Sequence, residues 1–233
     1  MKGKKKLYLA IGIIIAVMIL IIRFSFHRSE PESENKGGKE DEDVITMEEI
    51  TFSEGIQIVD SGTFSGTFVE DGTDEDVDGV AALTVANHSE KWLEYARIIV
   101  SADDDTYEFS VSALPANSTA RILEQQRKVF GEADDFDVEL KNVVFYEETP
   151  SLHSDIFKIS AENQQITVKN ISDKAISGDI FIYYKTKMDG VYIGGIAYRA
   201  KVEGGLAPGE EKTCYARHCL KESSELLFVT YVE

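Results

Sequence analysis

From residue 50 onward, apolar and polar residues alternate with a period of two. The apolar positions occur in short runs and include Leu83 and Val85, Phe109 and Val111, and Ile166 and Val168. Such alternation places one face of a strand on a core and the other in water. Turn sequences such as Asp71-Gly72, Asp189-Gly190 and Pro208-Gly209 separate the runs. Short strands with regular turns predict an all-β fold, and specifically a β-sandwich.

Two stretches of the chain resemble each other. The sequence LTVANHS at 83–89 matches ITVKNIS at 166–172, so Asn87 aligns with Asn170. Each copy continues to a Leu and a Pro-containing turn, and the Asn-to-Leu spacing is 27 residues in the first copy and 36 in the second. We therefore predict two tandem Ig-like β-sandwiches, at residues 50–148 and 152–233. One larger sandwich is the alternative.

The N-terminal region contains a membrane-anchor signal. Residues 7–22 (LYLAIGIIIAVMILII) carry no charge, and Arg23 and Phe24 suit the membrane interface, so the span extends over residues 7–24. That length approaches the roughly 20 residues that cross a hydrocarbon core. Four lysines lie within residues 1–6. By the positive-inside rule, the N-terminus stays in the cytoplasm and the rest of the chain is extracellular.

The alternative for this segment is a cleaved signal peptide. A signal peptide has a shorter apolar region followed by a cleavage site of small residues. Here Arg23 and Phe24 follow the apolar run, which favours a retained anchor. Residues 25–49 are rich in Glu, Asp, Ser and Gly, and this composition predicts a disordered acidic stalk.

Charge excludes one class of partner. The net charge is −18, and the basic residues before position 25 are not balanced by any acid, since the first acidic residue is Glu30. The part of the chain beyond the anchor is therefore even more acidic than the total. An acidic surface without a basic patch argues against nucleic-acid binding.

The second half resembles the C-terminal module of uncharacterised membrane-anchored surface proteins of Gram-positive bacteria. The resemblance rests on YYKTKMDGVYIGGIAYR at 183–199 and on the LAPGE turn at 206–210, and the first half is similar to FxLYD-like sandwich domains. It implies an extracytoplasmic β-sandwich protein of bacterial origin and implies no activity. Cys219 departs from the aromatic residue that is usual there.

An acidic loop at residues 70–79 contains the opening of a calcium motif. Asp74, Asp76 and Asp78, followed by Gly79, have the spacing of the first three ligands of a calcium loop. The twelfth position is Val85 instead of Glu, and a strand follows instead of a helix. Calcium is thus one hypothesis for this loop, and a solvated acidic turn without any cofactor is the other.

Cys214 and Cys219 are the only cysteines. Outside the cell, a pair of cysteines suggests a disulfide. On a continuous strand these two would lie about 16 Å apart, so a bridge requires a turn between them. A disulfide and two free thiols both stay open.

Aromatic residues supply a candidate binding surface. Tyr183, Tyr184 and Tyr192 cluster in the second half, and Trp92 lies beside a loop in the first. Exposed aromatic residues anchor protein interfaces, whereas aromatic residues in strands also fill cores. Both interpretations are retained.

No catalytic motif occurs in the sequence, and the four His residues are scattered, so we predict that the protein is not an enzyme. The leading hypothesis is a non-enzymatic binding or adaptor role at the cell envelope, with an envelope protein or a cell-wall component as partner. A structural spacer or assembly subunit is the alternative, and a metal-assisted enzyme is less favoured.

Overall fold

The computed structural model describes Met47 and residues 49–103, 105–131 and 135–232. All regular elements among these residues are β-strands, which confirms the all-β prediction. The thirteen strands are β1 (Ile50–Thr51), β2 (Ile56–Thr67), β3 (Asp76–Asn87), β4 (Leu93–Ala102), β5 (Asp105–Leu114), β6 (Ser118–Leu123), β7 (Asp137–Phe145), β8 (Phe157–Glu162), β9 (Gln165–Asn170), β10 (Ile180–Met188), β11 (Val191–Val202), β12 (Glu211–Tyr215) and β13 (Ser224–Thr230).

The alternating pattern explains how the strands are buried. In β5, Tyr107, Phe109 and Val111 are buried, and the polar residues between them are only partly covered. The neighbouring β4 buries Ala96, Ile98 and Val100 in the same manner. Both of these strands therefore turn one row of side chains toward a core, as period-two patterning requires.

One six-strand pattern occurs twice along the chain. The first repeat (β2 to β7) contains the antiparallel sets β2-β3-β6 and β5-β4-β7. The second repeat (β8 to β13) contains the corresponding sets β8-β9-β12 and β11-β10-β13. Each repeat has a main hydrophobic cluster to which strands of both its sets contribute, and the cluster of the first repeat also includes Tyr192, Leu227 and Phe228 of the second.

The aligned asparagines occupy equivalent buried positions. The Asn87 side-chain amide donates to the carbonyl oxygens of Lys91, at 2.9 Å, and Leu114, at 3.1 Å. The Asn170 amide donates to the carbonyls of Lys174, at 2.7 Å, and Leu206, at 3.1 Å. These are the two Asn-to-Leu spacings found in the sequence, so the internal repeat is present in the structure.

The two repeats share one sheet. Edge strand β6 of the first repeat pairs in parallel with edge strand β11 of the second, at Tyr192–Ala120 and Ile193–Arg121. This pairing produces a seven-stranded sheet with the order β1-β2-β3-β6-β11-β10-β13. The boundary between two separate sandwiches at residues 148–152 stays a prediction. In the structure, the two halves are joined by the shared sheet.

Among the residues that the structure describes, no helix is long and apolar enough to cross a membrane. The predicted cytoplasmic tail (1–6) and anchor (7–24) lie outside the described residues, as does nearly all of the predicted stalk (25–49).

Candidate functional site

The joint between the repeats contains two ionisable side chains that sequence patterning did not single out. Glu70 comes from the connection between β2 and β3, and Lys185 comes from β10. Both contact the Gly194-Gly195 segment of β11. We call Glu70, Lys185 and Gly195 the joint triad.

Glu70 binds backbone amides of both repeats. Its carboxylate accepts hydrogen bonds from the Leu123 N–H at 2.8 Å and from the Gly195 N–H at 2.8 and 2.9 Å. Burial raises the pKa of Glu70, whereas these amide donors and the attraction of Lys185 act to lower it. The side chain thus connects β6 of the first repeat to β11 of the second.

Lys185 is fully buried because β10 is irregular at this point. The pairing of β10 shifts register between Tyr183 and Tyr184 against β13, and between Tyr184 and Thr186 against β11. Such bulges break the alternation of side chains. As a result, the consecutive residues Tyr184 and Lys185 are both buried.

The ammonium group of Lys185 is bound by three carbonyl oxygens. Nζ donates to Ser112 of the first repeat at 3.1 Å and to Gly195 and Ile196 of the second at 2.9 Å each. Desolvation lowers the pKa of Lys185 to about 7, and the negative charge of Glu70 opposes that change. Three acceptors match the three donors of an ammonium group.

The glycine pair allows the repeats to approach closely. A Cβ atom on Gly195 would lie 1.8 Å from the Ser110 carbonyl oxygen, and one on Gly194 would lie 2.6 Å from the Val69 side chain. Gly194 also has a φ of +86°. The pair lies in the bulged part of β11, where its pairing with β10 shifts register.

A second contact holds the acidic loop against the second repeat. Asp74 pairs with Arg217 at 3.0 Å and with His218 at 3.1 Å. The His218 ring stacks on Tyr198 at 4.3 Å, and the Tyr198 hydroxyl donates to the Val69 carbonyl at 3.2 Å. The loop therefore serves as a contact between repeats.

The structure does not bring the predicted calcium ligands together. Asp74 faces Arg217 and His218, Asp76 accepts a hydrogen bond from Thr67 at 3.3 Å, and Asp78 accepts one from Ser65 at 2.6 Å. Within the described residues, no group of three or more His, Cys, Asp or Glu side chains could hold a metal ion. The spacing in sequence is that of a calcium loop, but hydrogen bonds across the β2–β3 hairpin hold Asp76 and Asp78 along a strand.

The predicted aromatic surface separates into two groups. Tyr184 and Tyr192 are 2% and 1% exposed, so both are core residues and cannot belong to an exposed binding surface. Tyr183 and Trp92 are half-buried, and both contact Phe228, with centroid distances of 4.4 and 6.4 Å. Trp92 belongs to the first repeat, whereas Tyr183 and Phe228 belong to the second.

Both cysteines are free thiols. Cys219 is buried and Cys214 is half-buried in the cluster of the second repeat. Burial raises the pKa of each thiol, which makes both poor nucleophiles. The free-thiol alternative describes this structure, in which a disulfide between them is not formed.

The sequence pattern around Lys185 and Glu70 does not predict the joint triad. Lys185 lies in a strand where alternation predicts an outward side chain, and Glu70 belongs to a loop of many carboxylates. The Gly194-Gly195 pair was the available signal, because paired glycines within a strand indicate a close backbone approach.

No protein-family model matches the chain, and no curated protein matches it either. The geometry of the joint triad indicates its chemistry. Its charged groups bind backbone amides and carbonyls, an arrangement that holds two segments together.

Proposed function

We propose that this chain is a single-pass membrane protein with a non-enzymatic role at the cell envelope. Residues 7–24 would cross the lipid bilayer, with the N-terminus in the cytoplasm, and residues 25–49 would form an extracellular stalk. The strands would form two tandem Ig-like β-sandwiches of the FxLYD-like kind. The ectodomain would bind an envelope protein or a cell-wall component.

The joint triad is the observation that carries this proposal. Glu70 and Lys185 bind backbone groups of both repeats, and the parallel pairing of β6 with β11 adds a ladder between them. Repeats that are tied in this way keep one relative orientation. A fixed orientation is what an adaptor needs when its binding surface contains residues from both repeats.

Trp92 and Tyr183 are the proposed anchors of that surface. They contact Phe228 from different repeats, and Tyr146 contacts the same ring at 5.7 Å. Half-buried aromatic side chains on a rigid scaffold lose little entropy on binding, which makes them effective anchors.

The proposal is tested by affinity capture with the full-length tagged chain from solubilised envelopes. A stoichiometric partner that is lost with Tyr183→Ala and Trp92→Ala, but kept with the exposed Tyr215→Ala as control, supports it. Capture of nothing by the wild-type chain contradicts the adaptor role and favours the spacer or assembly alternative. Protease added to intact cells tests topology separately, since the proposal requires cleavage of the C-terminal part.

A further inference from the structure

One open edge of the second repeat is β8, which has β9 on one side and no strand on the other among the described residues. In the first repeat the equivalent strand, β2, is covered by β1, with Ile50 opposite Ile58 and Thr51 opposite Gln57. The equivalence is defined by pairing: Ile58 lies opposite Val85, and Ile159 lies opposite Val168. The first repeat thus shows that an edge of this kind can be covered by one additional short strand.

The chain itself explains why β8 is uncovered. Before β2, a turn closed by the Phe52 N–H and the Ile56 carbonyl at 2.9 Å folds β1 back along the edge. Before β8, the Ser151 carbonyl instead accepts a hydrogen bond from Val229 of β13 at 2.9 Å. The residues just before β8 therefore bond to β13 and do not cover β8.

Two features of the β8 edge indicate what would bind there. A recess of about 320 Å³ opens beside it, lined by Leu152, Ser154, Phe157, Lys158, Ile159 and Ile171. Lys158 on β8 lies directly opposite Lys169 on β9, which has Glu211 of β12 opposite it on its other side. Among the described residues, Lys158 itself forms no ion pair with a carboxylate. Like charges at such positions repel, so an acidic segment with a branched apolar residue would complement this edge.

The chain contains a segment of that composition just before β1. Residues 41–46 read DEDVIT, in which Ile45-Thr46 follows acidic residues as Ile50-Thr51 of β1 does. We infer that residues 41–46 of a second copy of the chain pair with the β8 edge. Ile45 enters the recess, and the preceding acids lie near Lys158 and Lys169.

The segment must come from a second copy because Met47, the residue that follows it, lies near the β1 end of the seven-stranded sheet, whereas β8 of the neighbouring three-stranded sheet lies near the β13 end. Met47 is fixed on Ser61 of β2, whereas Phe157 of β8 contacts Tyr231, which follows β13, at 5.1 Å. The edges β1 and β13 are six strand spacings apart, or about 29 Å. Residues 41–46 extend at most about 22 Å, which is shorter than this distance, so each contact is head-to-tail.

Peptide binding tests the site. A labelled peptide of residues 39–47 is titrated by fluorescence anisotropy against the full-length chain carrying Ile45→Asp, in detergent micelles. We expect saturable binding that Lys158→Glu weakens at least about tenfold, and that the same charge change at exposed Lys91 leaves within about twofold. Absence of saturable binding, or equal weakening by Lys91→Glu, overturns the inference.

Self-association tests the source of the segment. The wild-type full-length chain in micelles should associate with increasing concentration in sedimentation velocity, and Ile45→Asp should abolish this. Association that survives Ile45→Asp means that the copies meet through another surface, such as β8 against β8, and overturns the inference. A wild-type chain that stays monomeric at every concentration does so as well.

Discussion

Glu70 and Lys185 bind opposite sides of the same residue. The carboxylate accepts the N–H of Gly195, and the ammonium group donates to its carbonyl oxygen. Each of the two also binds the first repeat, at Leu123 and at Ser112 respectively. A single peptide segment of β11 is thereby held by an acid and a base 115 positions apart in the sequence.

Removing the Lys185 ammonium should destabilise the ectodomain. Lys185→Met removes a donor from three carbonyls, of which that of Gly195 keeps the Ser112 hydroxyl at 3.1 Å. We expect the free energy of unfolding to fall by about 3 kcal/mol or more. Urea unfolding of the full-length chain in micelles measures it through the only tryptophan, Trp92, which lies against Phe228.

A double-mutant cycle with Glu70→Gln is the control for that measurement. Coupling of about 0.5–3 kcal/mol is expected between groups that share Gly195. Additive effects would show that Glu70 and Lys185 act independently.

Stability should rise with pH above neutrality because of Lys185. Its pKa is about 7 when folded and near 10.5 when unfolded, so the unfolded chain binds more protons between these values. The free energy of unfolding therefore increases from pH 7 to pH 9, by up to about 1.4 kcal/mol per pH unit. Urea unfolding of wild type and Lys185→Met at both pH values measures the difference, and parallel behaviour of the two proteins would contradict the assignment.

Gly195 should tolerate no side chain. A Cβ there would lie 1.8 Å from a backbone oxygen of β5, so Gly195→Ala must displace one repeat from the other, at a cost of about 3 kcal/mol or more.

Gly62 of β2 provides the matched control. The nearest atom to its added Cβ is the Arg121 side chain at 3.7 Å, so Gly62→Ala should change stability by less than about 1 kcal/mol. Equal effects at both glycines, measured by thermal melting, would rule out close approach as the reason for Gly195.

The two asparagines should behave as a pair. Asn87→Ala and Asn170→Ala each remove a buried amide that donates to at least two carbonyls, and each should cost about 2–4 kcal/mol. Ser89→Ala and Ser172→Ala remove only a hydroxyl that bonds to the asparagine and should cost about 1 kcal/mol. A large effect at one asparagine alone, in urea unfolding, would mean that the repeats do not use them equivalently.

Local pattern was sufficient to predict the strands and the repeat. Alternation around Phe109 and Val111 identified β5, and the match of Asn87 with Asn170 located equivalent turns, because both features depend on neighbours in the sequence. The joint depends on distant partners. Glu70 and Gly195 are 125 positions apart, and no short-range pattern reports such a contact.

The same distinction, between contacts with sequence neighbours and contacts with distant residues, applies to the acidic loop. Asp74, Asp76 and Asp78 have calcium-loop spacing, yet Asp74 turns to Arg217 and His218 of the second repeat. The burial of Lys185 likewise follows from a bulge, which shifts alternation by one residue. Sequence periodicity could predict the regular part of β10, but it could not predict the position of the bulge.

The parallel contact of β6 with β11 bears on the order in which the chain acquires its structure. During synthesis, the N-terminal repeat emerges first and can fold as a unit. It then presents a finished strand edge, together with the Glu70 carboxylate, to the segment that becomes β11. The earlier half of the molecule thus acts as a template on which the later half is built.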